Sequence, residues 1–410
     1  MARSSVRVWL ITLFLSCVIA KLGASEDTVN KLWDMESLSQ APQVYEAPDY
    51  GAKSLKSIFL EGEPYRGKTT RVFAYYSLPP GADLQHPVPG IVCVHGGGGT
   101  AFAEWVQLWN HHGFAAIAMD TNGSVPESIQ ESPDAHHHAW VGPQRYSFDL
   151  RDKPLKEHWN YHAIAAVIRA NSFLRTLDGV DADNIGITGI SWGGYKTCIA
   201  VGVDSRFKFA ISVYGCGFLS QGSTWTQAIN DYGAKRWTRY WDPSSYLPRA
   251  KLPMLWVNGT NDPHYHLPIF QKSAQALGGH SQLLIQLEMD HGHGSGWEPP
   301  EIYAFAKSKV GLADPMVTVG RPSHQKKMAW VRYEDSGRQQ VVSAELLATS
   351  DEGAWHDRQW QKFPAQVKQG KVNAKLPPRT TAYFFNLTDQ RGLVVSSEYV
   401  VTSPDVKATP

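Results

Sequence analysis

The feature that most constrains the fold is a regular alternation of short apolar strands with helical segments between residues 88 and 310. The run 88-VPGIVCV-94 is continuously apolar, and 101-AFAEWVQLWNHHG-113 then carries bulky apolar side chains at helical spacing before a glycine. Continuously apolar strands that alternate with helices are typical of parallel sheets covered on both faces. The sequence therefore predicts the α/β class, with a doubly wound, mostly parallel sheet and ligands bound beyond the carboxyl ends of its strands. Further strands are predicted at 114–120, 185–191, 208–215, 253–259 and 281–289, and further helices at 156–177, 192–203, 267–279 and 299–310.

The pattern changes after residue 312, where the helical periodicity stops. The segments that follow alternate apolar and polar residues, and turn-forming residues separate them, which predicts a smaller C-terminal antiparallel domain resembling a β-sandwich. We therefore expect a main domain over 26–312 and an accessory domain over 313–410, with the boundary between Leu312 and Val319. The predicted accessory strands lie at 326–334, 339–349, 381–389 and 392–401.

The N-terminus has the composition of a cleaved secretory signal. Arg3 and Arg7 precede the apolar run 8–20, and small residues then lead into a polar stretch. The apolar run is short for a transmembrane helix, and no later segment is long and apolar enough to span a bilayer. We expect residues 1–25 to be a signal peptide and the protein to be secreted or periplasmic, without a stable membrane anchor.

The cysteines do not form a disulfide framework. Cys17 leaves with the predicted signal, and the remaining Cys93, Cys198 and Cys216 are odd in number. Each lies in an apolar or glycine-rich stretch, which favours buried free thiols. A single Cys198–Cys216 bridge is the alternative.

Charge and histidine content give no sign of nucleic acid, metal or cofactor. The formal net charge is +1, so the chain offers no overall field for a polyanion. The triplet 136-HHH-138 is the strongest metal candidate, but adjacent histidines point in different directions and rarely bind one ion together. We expect that triplet to lie in a loop at the rim of the site.

The stretch 189-GISWGGY-195 lies where a predicted strand meets a predicted helix. Glycines before and after Ser191 allow a sharp turn that presents the hydroxyl above the sheet, as a nucleophile requires. The amide of Trp192, the next residue, is the first predicted donor to an oxyanion. The glycine-rich strand exit 95-HGGGG-99 is predicted to supply the second donor from Gly97, with Gly98 as the second choice.

Two later strand ends supply an acid and a histidine. Asp262 follows the strand 253–259, and both His291 and His293 follow the strand 281–289. The chain order serine, acid, histidine is that of α/β hydrolases. In that arrangement the imidazole takes the serine proton and passes it to the leaving group, while the acid holds the imidazole. Asp290 is the alternative acid, although it adjoins the histidine loop itself.

Together these stretches resemble the α/β-hydrolase superfamily, nearest the dienelactone hydrolase, acetylxylan esterase and prolyl oligopeptidase-like group of exported bacterial serine hydrolases. The resemblance covers roughly residues 50–310 and implies Ser191 as nucleophile, Asp262 as acid, and Gly97 with Trp192 as oxyanion donors. Because the histidine of this family's loop sits between glycines, the resemblance favours His293 over His291 as the base. The motifs that carry it are 95-HGGGG-99, 189-GISWGGY-195, 258-NGTND-262 and 291-HGHGSGW-297.

An aromatic insertion at about 218–250 is expected to cover the site as a cap. Its aromatic side chains either offer faces to sugar rings or acyl groups, or pack a small core of the insertion itself. The residues in question are Trp225, Trp237, Tyr240 and Trp241.

These features predict an exported carboxylic ester hydrolase, a serine esterase acting through an acyl-enzyme, with small-molecule or carbohydrate esters of acetyl or other acyl groups as substrates. A serine peptidase or amidase of the prolyl oligopeptidase type is the alternative. A third hypothesis is an inactive hydrolase-fold binding protein.

Overall fold

The computed structural model describes residues 32–50, 55–126, 139–143, 148, 153–336 and 338–402. The predicted signal segment 1–25, with Cys17, and the triplet 136–138 lie outside the described residues. Within them, no helix combines the length and the hydropathy that a bilayer span requires.

A sheet of 14 strands organises the molecule. Its first nine strands lie in the order β1-β2-β3-β5-β4-β6-β7-β8-β9, and every neighbouring pair from β5 to β9 is parallel. The three strands before β5 pair antiparallel. The predicted doubly wound, mostly parallel sheet is therefore confirmed. The strands are β1 (Val44–Glu46), β2 (Lys56–Glu61), β3 (Arg71–Ser77), β4 (Val88–Val94), β5 (Ala115–Met119), β6 (Val180–Ile190), β7 (Ala210–Val213), β8 (Met254–Gly259) and β9 (Ser281–Gln286).

Helix α3 (Trp159–Leu174) is more deeply buried than an amphipathic surface helix. All of its residues except His162 and Arg169 are buried, because the N-terminal segment lies across the face turned away from the sheet. Ser172 Oγ of α3 donates to the Leu38 carbonyl of that segment at 2.7 Å. The helices are α1 (Met35–Leu38), α2 (Ala103–His111), α3 (Trp159–Leu174), α4 (Trp192–Val203), α5 (Thr226–Asp231), α6 (Ala234–Trp241), α7 (Leu267–Ala276), α8 (His293–Trp297) and α9 (Pro300–Lys309).

The C-terminal residues form the predicted antiparallel domain, and one of its two sheets is continuous with the central sheet. Strand β18 pairs antiparallel with β9 at Ser396 and Leu283, so one C-terminal sheet continues the central sheet. The other C-terminal sheet has five strands. Strand periodicity does not reveal such long-range pairing, and several of the shorter strands were also not predicted. The strands are β10 (Thr318–Val319), β11 (Ser323–Gln325), β12 (Met328–Glu334), β13 (Val341–Thr349), β14 (Gln361–Pro364), β15 (Gln366–Lys368), β16 (Lys371–Lys375), β17 (Ala382–Asp389), β18 (Val394–Ser396) and β19 (Val400–Val401).

The three described cysteines lie inside the core. Cys93, Cys198 and Cys216 are all buried free thiols, as the sequence predicts, and the alternative bridge is not formed. Cys198 instead contacts Ser212 Oγ at 3.7 Å.

Candidate active site

Ser191 lies at a sharp turn between β6 and α4. Its φ of 57° and ψ of −120° place a non-glycine residue in a region that L-amino acids rarely adopt, at a cost of about 1–3 kcal/mol. Hydrogen bonds on both sides hold this conformation. The Ser191 amide donates to the Val213 carbonyl at 2.8 Å, and the Tyr195 amide donates to the Ser191 carbonyl at 3.0 Å. The surrounding backbone therefore maintains a strained serine above the sheet.

The glycines that flank Ser191 are required by close backbone approaches. A Cβ placed on Gly193 would lie 1.8 Å from the Val94 carbonyl oxygen, and a Cβ on Gly189 would lie 2.2 Å from the Gly193 carbonyl oxygen. Neither obstacle is a flexible side-chain end. The turn therefore packs directly against the end of β4, where the glycine-rich loop begins.

His291 joins Ser191 to Asp262. Its Nδ1 lies 2.7 Å from Asp262 Oδ2, and its Nε2 lies 2.9 Å from Ser191 Oγ. Because a carboxylate only accepts hydrogen bonds, Nδ1 carries the proton and Nε2 is left to accept from the hydroxyl. The other oxygen of the buried Asp262 accepts the amides of His264 at 2.8 Å and Tyr265 at 2.7 Å. This arrangement can deprotonate Ser191.

The structure corrects the choice of His293 as the base, because His291 occupies the place between the serine and the acid. His293 is the first residue of α8, and its ring is turned toward Phe102, with 4.6 Å between ring centroids. Its Nε2 accepts the Gly96 amide at 2.8 Å. Burial, with nearby positive charge, lowers the pKa of His293 to about 3, so the ring is a neutral acceptor. The position of His293 between two glycines does not identify the base, because Gly292 adjoins both histidines.

Tyr214 contacts both the ring of His291 and the loop that carries it. Its ring centroid lies 4.4 Å from that of His291, and its hydroxyl donates to the backbone carbonyl of Asp290 at 2.5 Å. The alternative acid therefore contributes its carbonyl to the support of the loop, while Asp262 binds the imidazole.

A cavity of about 320 Å³ opens beside the serine. Both candidate glycines, Gly97 and Gly98, border this cavity together with Trp192. Gly96 is excluded as an oxyanion donor because its amide is bonded to His293. The cavity is lined by Gly97, Gly98, Ile190, Ser191, Trp192, Trp225, His264, His291, Gly292 and His293.

Comparisons with known proteins agree with this geometry. Residues 141–311 match the model of the prolyl oligopeptidase family. The chain has the fold and the site of an α/β hydrolase. Its serine, histidine and aspartate form one hydrogen-bonded chain, which is the arrangement that serine hydrolysis requires.

The proteins that this chain is similar to carry the names of peptidases and of an esterase. Dipeptidyl-peptidase 5 of Aspergillus oryzae and the probable dipeptidyl-peptidase 5 of Aspergillus flavus are each 25% identical over 225 residues, which is 50% of this chain and 28% of theirs. The chain thus matches well under a third of the length of these curated relatives. Among solved structures, an acetyl xylan esterase from Paenibacillus sp. R4 has 19% identity and a TM-score of 0.49, covering 65% of this chain and 89% of that one. The acylaminoacyl peptidase of Pyrococcus horikoshii has 23% identity and a TM-score of 0.44, covering 59% and 38%.

Of the four aromatic residues for which the sequence leaves substrate contact or packing open, Trp225 lines the cavity. Its ring lies 4.6 Å from that of Trp192 and stacks on His264 at 5.5 Å. An indole wall next to the serine offers a flat apolar face to an acyl group or a sugar ring.

For Trp237 and Trp241 the structure favours the packing alternative over substrate contact. They lie one turn apart on α6 and are fully buried, and Trp237 stacks on Tyr195 at 6.1 Å. Tyr240 is half-buried against the core and is not part of the cavity lining. The insertion therefore uses these residues to pack α6 against the main core, because a short helix is stable only when one face is buried.

A buried polar cluster beneath the glycine-rich loop was not predicted from the sequence. His95 Nδ1–H donates to the Gly96 carbonyl at 2.7 Å, and His95 Nε2 accepts the Thr121 amide at 2.9 Å. That amide can bond only to an unprotonated Nε2, so His95 is neutral, and burial lowers its pKa accordingly. Lys196 and Asp120 are buried beside it, and Lys196 Nζ donates to Thr121 Oγ1. The sequence feature that could have indicated this cluster is Lys196, a charged residue within the apolar run that forms α4.

No metal centre is found among the residues that the structure describes. Within those ranges, His, Cys, Asp and Glu side chains form no group of three that could bind an ion.

Proposed function

We propose that this serine hydrolase cleaves carboxylic esters through an acyl-enzyme at Ser191, with acetyl or other acyl groups on carbohydrate as its substrate class. The observation that carries the proposal is the hydrogen-bonded chain from Ser191 through His291 to Asp262, placed beside the cavity.

The reaction follows from the proton positions. Ser191 Oγ attacks the ester carbonyl while its proton moves to His291 Nε2, and Asp262 stabilises the imidazolium. The Trp192 amide and an amide of Gly97 or Gly98 would stabilise the negative charge on the carbonyl oxygen. His291 then returns the proton to the leaving alcohol oxygen. A water molecule, deprotonated by the same nitrogen, hydrolyses the acyl-enzyme and restores Ser191.

The cavity lining supports an ester in preference to a peptide bound by its amino terminus. A free peptide amino terminus brings a positive charge, for which a carboxylate is the strongest partner. None of the residues that line the described cavity is acidic, and Asp262 lies beneath His291 with both oxygens already bonded. The Trp225 face instead suits an uncharged acyl or sugar group.

A serine peptidase or amidase is the second candidate. The match to the prolyl oligopeptidase family and the similarity to the two dipeptidyl-peptidases favour it. The same triad serves amide hydrolysis, so the two candidates differ only in what the cavity accepts.

A substrate panel tests the proposal. The protein and its Ser191→Ala variant are assayed on p-nitrophenyl acetate, longer p-nitrophenyl acyl esters, acetylated xylan and a dipeptidyl p-nitroanilide. We expect release of acetate from xylan and of nitrophenol from short esters, both abolished in Ser191→Ala. A kcat/KM for the anilide above that of every ester would establish the peptidase instead. A folded protein that turns over nothing would favour the binding-protein hypothesis.

We further propose that the protein acts outside the cytoplasm, on the basis of the basic start and apolar run of residues 1–25. N-terminal sequencing of protein recovered from the exported fraction should begin near residue 26. Intact residues 1–25 on soluble cytoplasmic protein would contradict export.

A further inference from the structure

The peptide unit of Gly96 is held between two histidine rings. Its amide donates to His293 Nε2 at 2.8 Å, across 197 residues of sequence. Its carbonyl accepts from His95 Nδ1 at 2.7 Å and from the Gly99 amide at 3.2 Å. The loop that borders the cavity is therefore fixed mainly by side chains.

The loop closes tightly around the ring of His293. A Cβ on Gly99 would lie 2.9 Å from both Cε1 and Nε2 of that ring, and a Cβ on Gly96 would lie 3.1 Å from Nε2. Phe102 also packs against the ring, with 4.6 Å between ring centroids. Glycine at these two positions thus admits the imidazole, in addition to leaving room beside Ser191.

The ring keeps the proton state that this contact needs. An acceptor for the Gly96 amide must be unprotonated at Nε2, and burial with the nearby His95, His291 and Lys196 lowers the pKa of His293 to about 3. The bond is therefore retained at every pH at which a serine hydrolase has a neutral base.

We propose that His293 is a positioning residue, which fixes the Gly96 peptide so that the following amides of Gly97 and Gly98 face the oxyanion. The proposal rests on Ser191 acting as the nucleophile, and is independent of whether the substrate is an ester or an amide. Oxyanion donors act through their preset geometry, so a displaced loop lowers turnover more than it weakens substrate binding.

Two substitutions at His293 distinguish the effect of its hydrogen-bond acceptor from the effect of the space that its ring fills. His293→Gln places an amide oxygen near the position of Nε2, whereas His293→Leu fills similar space without an acceptor. We expect His293→Leu to lower kcat on p-nitrophenyl acetate about 10- to 100-fold, below the 10²–10³-fold loss typical of deleting an oxyanion donor outright, with a much smaller change in KM. His293→Gln should recover most of that loss. The rate of Ser191 labelling by a fluorophosphonate should fall and recover in parallel.

His112→Leu is the matched control. His112 is another partly buried histidine with a pKa lowered by burial, to about 4, and it stacks on Tyr303 at 3.8 Å without lining the cavity. We expect its kcat to be unchanged even if its thermal unfolding midpoint falls.

The outcomes distinguish this proposal from the proposed function. Full kcat in His293→Leu, or equal losses in the Gln and Leu variants, would overturn the positioning role while fluorophosphonate still labels the wild type. A folded wild type that fluorophosphonate does not label would overturn Ser191 as nucleophile, and the positioning role with it.

Discussion

The carboxyl ends of the parallel strands and the outer edge of β9 are held by different kinds of contact. At the carboxyl ends of β4, β6, β8 and β9, buried polar side chains and a strained serine are held in one arrangement by specific hydrogen bonds. At the outer edge of β9, the C-terminal strands join by backbone pairing. Such pairing covers an otherwise open edge and fixes no reactive group.

The junction with the C-terminal strands has its own buried polar contacts. Ser396 Oγ accepts the Ile285 amide of β9 at 2.7 Å, and Glu301 Oε1 of α9 accepts the Val394 amide at 2.8 Å. These bonds satisfy buried backbone donors. One sheet therefore separates the residues that determine turnover from those that contribute mainly to stability.

The largest expected effect is at the base. His291→Ala removes the acceptor for the Ser191 proton, so kcat should fall roughly 10⁴-fold or more, with little change in the free energy of unfolding. Steady-state kinetics and urea unfolding measure the two. His324→Ala, on β11, is the histidine control and should keep full turnover. A loss in His291→Ala no larger than that in His293→Leu would contradict the distinction between base and positioning residue.

The second largest effect is expected at the turn between β6 and α4, which carries Ser191. Gly193→Ala puts a Cβ within van der Waals overlap of the Val94 carbonyl, so the turn must move away from β4. We expect a loss of about 1–3 kcal/mol in the free energy of unfolding, together with loss of activity.

Gly353→Ala provides the control in the C-terminal domain. Nothing lies within 4 Å of a Cβ at that position, so both stability and kcat should match the wild type. Normal turnover in Gly193→Ala would show that the contact with β4 does not set the position of Ser191.

The smallest effect is at the β9 junction. Ser396→Ala leaves the buried Ile285 amide and the Asn386 side chain without their hydroxyl partner, which should cost about 1–3 kcal/mol of unfolding free energy. Turnover per folded molecule should be unchanged. A fall in kcat in proportion to the loss of unfolding free energy would show that the β9 junction and the active site are coupled.

Much of the fold could be predicted because it depends on local patterns. The continuous apolar run that became β4 and the helical spacing in α2 indicated a parallel sheet with covering helices. The addition of β18 to β9 could not be predicted, because the pairing joins residues more than a hundred positions apart and strand periodicity is the same for any partner.

For the site, the sequence by itself determined which residue types follow which strands: a serine between glycines after β6, Asp262 after β8 and two histidines after β9. Parallel strands bring their carboxyl ends to one edge, so these residues had to lie near one another. Only the tertiary structure decided that His291 contacts Ser191 while His293 contacts Gly96. The two histidines are separated by a single glycine, and because α8 begins at His293, their rings contact different partners.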